Sequence, residues 1–200
     1  MATNVAIIYY SSTGNVHALA QAVAEGADGA GATVRLRKVR ELAPPEAIAR
    51  NEKWVRHTEA TREIPEATLD DLNWAQAAVF GSPTRFSNIT AQLKQYIDQT
   101  GGLWAQGKLV DKIVSGFTSA STNHGGHEST LIALYNTFYN WGSIIVPPGY
   151  ADPGPYRPGT PFGATSTGAP TEDELAAARF QGHRVTEIAA RFARGAERGP

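Results

Sequence analysis

The 200-residue chain has no cysteine. This excludes a disulfide framework, a cysteine nucleophile, a thiolate zinc site and an iron–sulfur cluster. Charge of one sign is also lacking: 18 Lys+Arg stand against 19 Asp+Glu, a formal net of −1. No basic footprint for nucleic acid or an anionic membrane surface is visible in that balance. Long hydrophobic runs are missing as well. The apolar run at residues 5–10 is too short for a signal-peptide core or a membrane span, and residues 1–4 carry no basic cluster. A cytoplasmic protein with no membrane insertion is expected. Its chemistry must come from oxygen and nitrogen side chains or from a cofactor.

Glycine (20) and proline (12) are plentiful but unevenly spread. Seven of the twelve prolines and five glycines fall within residues 147–170, a loop long enough to be a linker or a functional excursion. Only residues 171–200 follow it, too few for a second domain, so one domain over 1–200 is expected. A polar segment at 44–65, helical around 46–56, is a second excursion.

The remainder alternates between two periods. Residues 5–10, 33–39, 77–80, 112–117 and 144–146 read as strands, the first as a continuous apolar run. Residues 16–29, 89–99, 127–141 and 172–195 read as helices, and Thr171 with Glu174 has capping-box spacing. Strands alternating with helices imply an α/β fold, a doubly wound parallel sheet with helices on both faces. Five strands favour the order 2-1-3-4-5.

In such sheets ligands bind beyond the carboxyl ends of the strands. The loop after strand one is Ser11-Ser12-Thr13-Gly14-Asn15-Val16. Three hydroxyls, a glycine and the first helical N–H groups suit a dianionic monophosphate, although the hydroxyls could equally be helix caps. There is no Gly-x-x-x-x-Gly-Lys, which argues against a nucleoside triphosphatase. The second loop, Gly81-Ser82-Pro83-Thr84-Arg85-Phe86, offers a cation and an aromatic, or simply a tight turn. The third, Ser119-Ala120-Ser121-Thr122-Asn123-His124-Gly125-Gly126, is small enough for a flat ring to approach its backbone. Together the three loops point to a flat phosphorylated cofactor.

Other features have plainer readings. His124 and His127 lack a third ligand, so no metal is expected. Asn88-Ile89-Thr90 is a sequon without a secretory context. Arg179, Arg184, Arg191, Arg194 and Arg198 form a solvated or intersubunit face, and Trp54 and Trp74 are core or interface packing.

Tyr9-Tyr10-Ser11-Ser12-Thr13-Gly14-Asn15 resembles the phosphate loop of flavodoxin-like proteins. Further stretches are more specific: Gly81-Ser82-Pro83-Thr84-Arg85-Phe86, then Asp98-Gln99-Thr100-Gly101-Gly102-Leu103-Trp104-Ala105, Val146-Pro147-Pro148-Gly149-Tyr150 and Gly159-Thr160-Pro161-Phe162-Gly163-Ala164. With Ala178-Arg179-Phe180-Gln181-Gly182, they resemble the WrbA family of NAD(P)H:quinone oxidoreductases over nearly the whole chain. The resemblance implies a flavodoxin-like fold, non-covalent FMN, NADH or NADPH as donor and a quinone as acceptor. It also implies ping-pong hydride transfer through flavin N5 and a homotetramer built as a dimer of dimers. By motif, Ser11, Ser12, Thr13, Gly14, Asn15 and Val16 would hold the phosphate and ribityl chain. Pro83, Thr84, Arg85 and Phe86, with Ser119, Ala120, Ser121, Thr122, Asn123, Gly125 and Gly126, would border the ring. Trp104 would wall the quinone pocket, beside flavin held by a neighbouring subunit, with Phe86 and Thr13 also on the substrate side. Asn140 stands where the family often carries a histidine near the flavin, and an amide cannot supply a proton near neutral pH. Two other classes stay open, a flavodoxin-like electron carrier and a regulatory flavoprotein.

Overall fold

The structure, a computed structural model, describes residues 2–152 and 159–197. β1 (Asn4–Tyr9) is apolar and buried beyond its first residue, as a central parallel strand covered on both faces must be. It lies between β2 (Thr33–Lys38) and β3 (Ala77–Pro83), followed by β4 (Ile113–Ala120) and β5 (Ile144–Ile145). All pairs are parallel and the order is β2-β1-β3-β4-β5, as expected from the sequence.

Side-chain alternation divides the core in two. Val5, Ile7 and Tyr9 face α1 (Asn15–Gly29) and α8 (Glu172–Glu197). Ala6, Ile8 and Tyr10 face α5 (Ala91–Asp98) and α7 (His127–Trp141). Shorter helices fill the connections: α2 (Pro45–Ala49) and α3 (Glu52–Ala60) in the first excursion, α4 (Leu69–Trp74) before β3, and α6 (Gly101–Ala105) after α5. α4 begins with a complete capping box, Thr68 and Asp71. Trp74 packs partly buried against the second core, with the Arg35 guanidinium 4.0 Å from its ring centre.

The fifth position of the sheet is not one strand but two pieces. β5 pairs with Ile113 and Val114, whereas β6 (Thr165–Thr167) pairs with Thr118, Ser119 and Ala120 on the same edge of β4. The excursion leaves and returns between them. Gln181 of α8, fully buried, occupies the break: its Oε1 accepts from Ala164 N (2.8 Å), and its Nε2 donates to Ser115 Oγ and Gly116 O (2.7 Å each). A helix side chain thus supplies the ladder partners that the missing strand residues would have supplied.

α1 and α8 meet at backbone distance. A Cβ on Gly26 would come 1.8 Å from the Arg179 carbonyl oxygen, and one on Gly182 would come 2.0 Å from that of Val23. In an isolated helix Gly→Ala stabilises by about 1 kcal/mol, but here the helices would have to separate. Gly26→Ala is expected to destabilise the fold by about 1–3 kcal/mol, read as a lower urea midpoint.

Two arginines of α8 reach groups outside the helix, whereas Arg191 pairs along its exposed face. Arg179 pairs with Glu172 and Glu25, Arg191 with Glu187, and Arg184 Nε donates to the Pro147 carbonyl (3.1 Å). Arg198 lies outside the described residues, as does part of the 147–170 excursion. No helix among the described residues is long and apolar enough to cross a membrane.

Candidate functional site

The ends of β1, β3 and β4 open on one cleft of about 270 Å³. Ser11, Ser12, Thr13, Asn15 and Val16 line it after β1; Pro83, Thr84 and Arg85 line it at the end of β3; Ser119, Ala120 and Ser121 line it at the end of β4. The three loops singled out in the sequence therefore do converge.

The phosphate-like part is the turn into α1. Gly14 takes φ +102°, a left-handed conformation that glycine adopts without strain. Ser11 Oγ accepts from Gly14 N (3.1 Å), which shapes the turn. No side chain caps the helix and no acidic residue lies in its first turn. The hydroxyls are thus not spent as caps, and first-turn amides with a positive dipole end face the cleft. That arrangement suits a phosphate.

The ring-like part is the turn after β3. Arg85 and Asn88 exchange backbone hydrogen bonds (2.7 and 3.0 Å), with Phe86 at φ +52° and Ser87 at +61° between them. Two non-glycine residues in the left-handed region cost roughly 1–2 kcal/mol each. The result is a phenyl ring fully exposed to solvent at 103%, an uncommon disposition for a large apolar group unless it meets a flat partner. The third loop holds this turn in place. Thr84 N donates to Ser119 O (2.9 Å), Thr130 Oγ1 donates to Thr84 Oγ1 (2.7 Å), and a Cβ on Gly126 would come 2.5 Å from Ser87 Oγ. Gly125 packs under Ala120 and Thr122, while Thr122 and Asn123 are exposed at the tip, outside the cleft lining. His127 is buried, donating Nε2–H to the Ser166 carbonyl (3.0 Å).

The first excursion contributes more than sequence reasoning assigned to it. Asn51 and Trp54, at the start of α3, form a wall of the cleft. Trp54, expected to be simple packing, is held there by Glu41, which accepts from Trp54 Nε1 (3.2 Å), Tyr10 Oη (2.8 Å) and Gln92 Nε2 (2.9 Å). Burial pushes the Glu41 carboxyl up. Hydrogen bonds from Ala43, Gln92, Tyr10 and Leu42 outweigh that and hold it below its ordinary value. Glu41 thus stays ionised and fixes α3 against the rim.

Under the same loop, Tyr9 Oη hydrogen-bonds His17 Nδ1 (2.7 Å), and burial, then His57 and Lys38, lower the His17 imidazole to about 4. The unfolded chain binds this proton below about pH 6.5 and the folded chain does not, so stability rises with pH across that interval. Melting temperature is expected to be flat between about pH 6.5 and pH 8 and to fall progressively toward pH 4, with His17→Gln flattening the acid slope.

Trp104 and Asn140 are brought together, but not in this cleft. Trp104 Nε1 donates to the Asn140 carbonyl (3.0 Å), and both line a shallow pocket between α5, α6 and the end of α7. α7 begins at the cleft and runs away from it, so Asn140 lies about 15 Å further along the axis than Thr130. Within one chain neither residue joins the loop after β1.

Residues 3–153 match the family model for NADPH-dependent FMN reductases. The NAD(P)H dehydrogenase (quinone) of Deinococcus radiodurans is 47% identical over 191 residues, 94% of this chain and 96% of the relative. A relative of the same name from Geotalea uraniireducens is 43% identical, over 95% of this chain and 99% of its own. Among solved structures, a flavodoxin, WrbA-like protein from Agrobacterium tumefaciens superposes with TM-score 0.71 at 25% identity, covering 95% of this chain and 99% of that one. An uncapped anion nest at the switch point, near-complete coverage and this level of identity agree: the chain belongs to the WrbA family of NAD(P)H:quinone oxidoreductases.

Proposed function

We propose that the protein is an FMN-dependent NAD(P)H:quinone oxidoreductase that folds as one flavin-binding domain and works as a homotetramer in the cytoplasm. The observation that carries this reading is the start of α1, an uncapped, acid-free helix N-terminus lined with hydroxyls beside a fully exposed Phe86. Those residues fit FMN: the first-turn amides and Ser11, Ser12, Thr13 and Asn15 would take the phosphate and ribityl chain, and the Phe86 turn with Ser119 and Ala120 would border the ring. When bound, FMN supplies a two-electron acceptor and donor for hydride. The chain's own part is to bind, align and exclude water, and no side-chain nucleophile is needed.

Trp104 and Asn140, paired and exposed on the outer surface of one chain, would complete the substrate side from a neighbouring copy. Asn140 offers hydrogen bonds but no proton near neutrality, so the quinone's protons come from solvent. The test is to load the protein with FMN, add NADH or NADPH anaerobically, and then add benzoquinone. Bleaching of the flavin by nicotinamide and rapid recovery with quinone are expected. Bleaching without recovery, or single-electron exchange alone, would favour an electron carrier.

A further inference from the structure

A cluster of nitrogen bases underlies the phosphate loop. His57 reaches it from α3: a Cβ on Gly14 would stand 3.7 Å from His57 Nδ1, and the Ser11 backbone beside the ring favours its protonated form. His17, in the first turn of α1, packs against His57 with ring centres 5.3 Å apart and hydrogen-bonds Tyr9 on its other side. The groups facing the pair come from every neighbouring element. Lys38 of β2, with Nζ donating to the Thr61 carbonyl (2.6 Å), contributes positive charge to both rings. Tyr9 of β1 is kept neutral by burial. Glu41, the carboxylate of the adjoining loop, is committed to Tyr10, Trp54 and Gln92. No carboxylate bearing on either ring is found among the described residues.

This arrangement is one-sided. Burial and then Lys38 disfavour protonation of His57, and only the Ser11 backbone favours it. The loop that His57 touches is the one shaped for an anion. A phosphate there supplies the negative charge that the cluster lacks, and the charged imidazole becomes the favoured form.

We propose that His57, backed by His17, is the proton-linked partner of the cofactor phosphate, so that binding a phosphomonoester at the loop draws a proton onto the pair. This rests on the FMN reading above. FMN then binds with proton uptake, and its affinity rises as pH falls from about 8 to about 6.5, by roughly fivefold. Below about pH 6 the phosphate's own second ionisation opposes the effect, which sets the lower limit of the window.

The test is calorimetric titration of the protein with FMN at pH 6.5 in two buffers of different ionisation enthalpy, with riboflavin as the phosphate-free reference. Wild type is expected to take up a substantial fraction of a proton with FMN and none with riboflavin. His57→Gln keeps a polar side chain that cannot be protonated. It is expected to abolish the uptake, weaken FMN by about tenfold and leave riboflavin affinity and melting temperature above pH 7 unchanged. His17→Gln should reduce the uptake. FMN binding by wild type without proton uptake, or undiminished uptake in His57→Gln, overturns the proposal while leaving the FMN reading intact. Failure of FMN to bind at all overturns both.

Discussion

Asn15→Asp is expected to weaken FMN by about a hundredfold while leaving the FMN-free fold as stable as wild type or slightly more so. The two effects have opposite signs because one carboxylate meets two fields. Asn15 is the first residue of α1, whose first turn holds no acid, and a negative side chain there gains about 0.3–1 kcal/mol from the helix dipole. The same position lines the cleft beside Ser11, Ser12 and Thr13. A phosphate dianion bound there would repel the new charge by on the order of 3 kcal/mol at the dielectric of a partly buried site. Asparagine and aspartate are nearly isosteric, so the loss cannot be assigned to packing. Flavin fluorescence quenching reports affinity and thermal melting reports the fold. Equal loss of both would show that Asn15 serves structure rather than phosphate.

Gln181→Leu is expected to lower stability by roughly 2–5 kcal/mol, about 5–15 °C in melting temperature. Volume is nearly conserved, so the cost is polar. Ala164 N and Gly116 O lose their side-chain partner in a site with no access to water, whereas Ser115 Oγ keeps its bond to the Val146 carbonyl (2.7 Å). Gln181→Glu separates donor from acceptor roles: it can still accept from Ala164 N, but it sets a carboxylate against the Gly116 carbonyl. It should therefore be at least as unstable as the leucine variant above the carboxyl's titration and recover partly in acid. Urea midpoints at pH 5 and pH 8 make the comparison.

The sheet was legible because its strands declare themselves locally. The run at residues 5–10 and the small-residue run before Gly81 are buried on both faces, and only a central parallel strand needs that pattern. The loop after β1 was legible as part of the cleft for a related reason, since its position and its hydroxyls are both local. What was missed depends on distance. Trp54 becomes a cleft wall only because it converges with Tyr10 and Gln92, from three parts of the chain, on the Glu41 carboxylate. β6 is three residues in a Gly- and Pro-rich stretch, and the edge of β4, not its own period, makes it a strand. α6 begins at Gly101-Gly102, a pair that carries no helical signal of its own. The Thr68–Asp71 capping box was a usable signal for α4, hidden by the helix being only six residues long. That Asn140 and Trp104 pair at the far end of α7, away from their own chain's cleft, was likewise not visible in the sequence.

The division of the fifth strand has a consequence for how this chain tolerates change. β5 ends opposite Val114 and β6 begins opposite Thr118, a separation of about 13 Å along β4. Both ends of the intervening segment are therefore anchored to one rigid strand, and Gln181 seals the gap from behind. A segment tethered in this way is a cassette. Its length enters stability only through ring closure, about 0.6 kcal/mol for each doubling. Away from Gly163, where a Cβ would come 2.0 Å from the Gly116 carbonyl oxygen, and from Phe162, which packs on the second core, its composition can be exchanged while the loop after β1, on the far side of β3, keeps its geometry. Domain insertion or loop grafting between residues 150 and 160 is thus the natural way to give this scaffold a new mouth without rebuilding its floor.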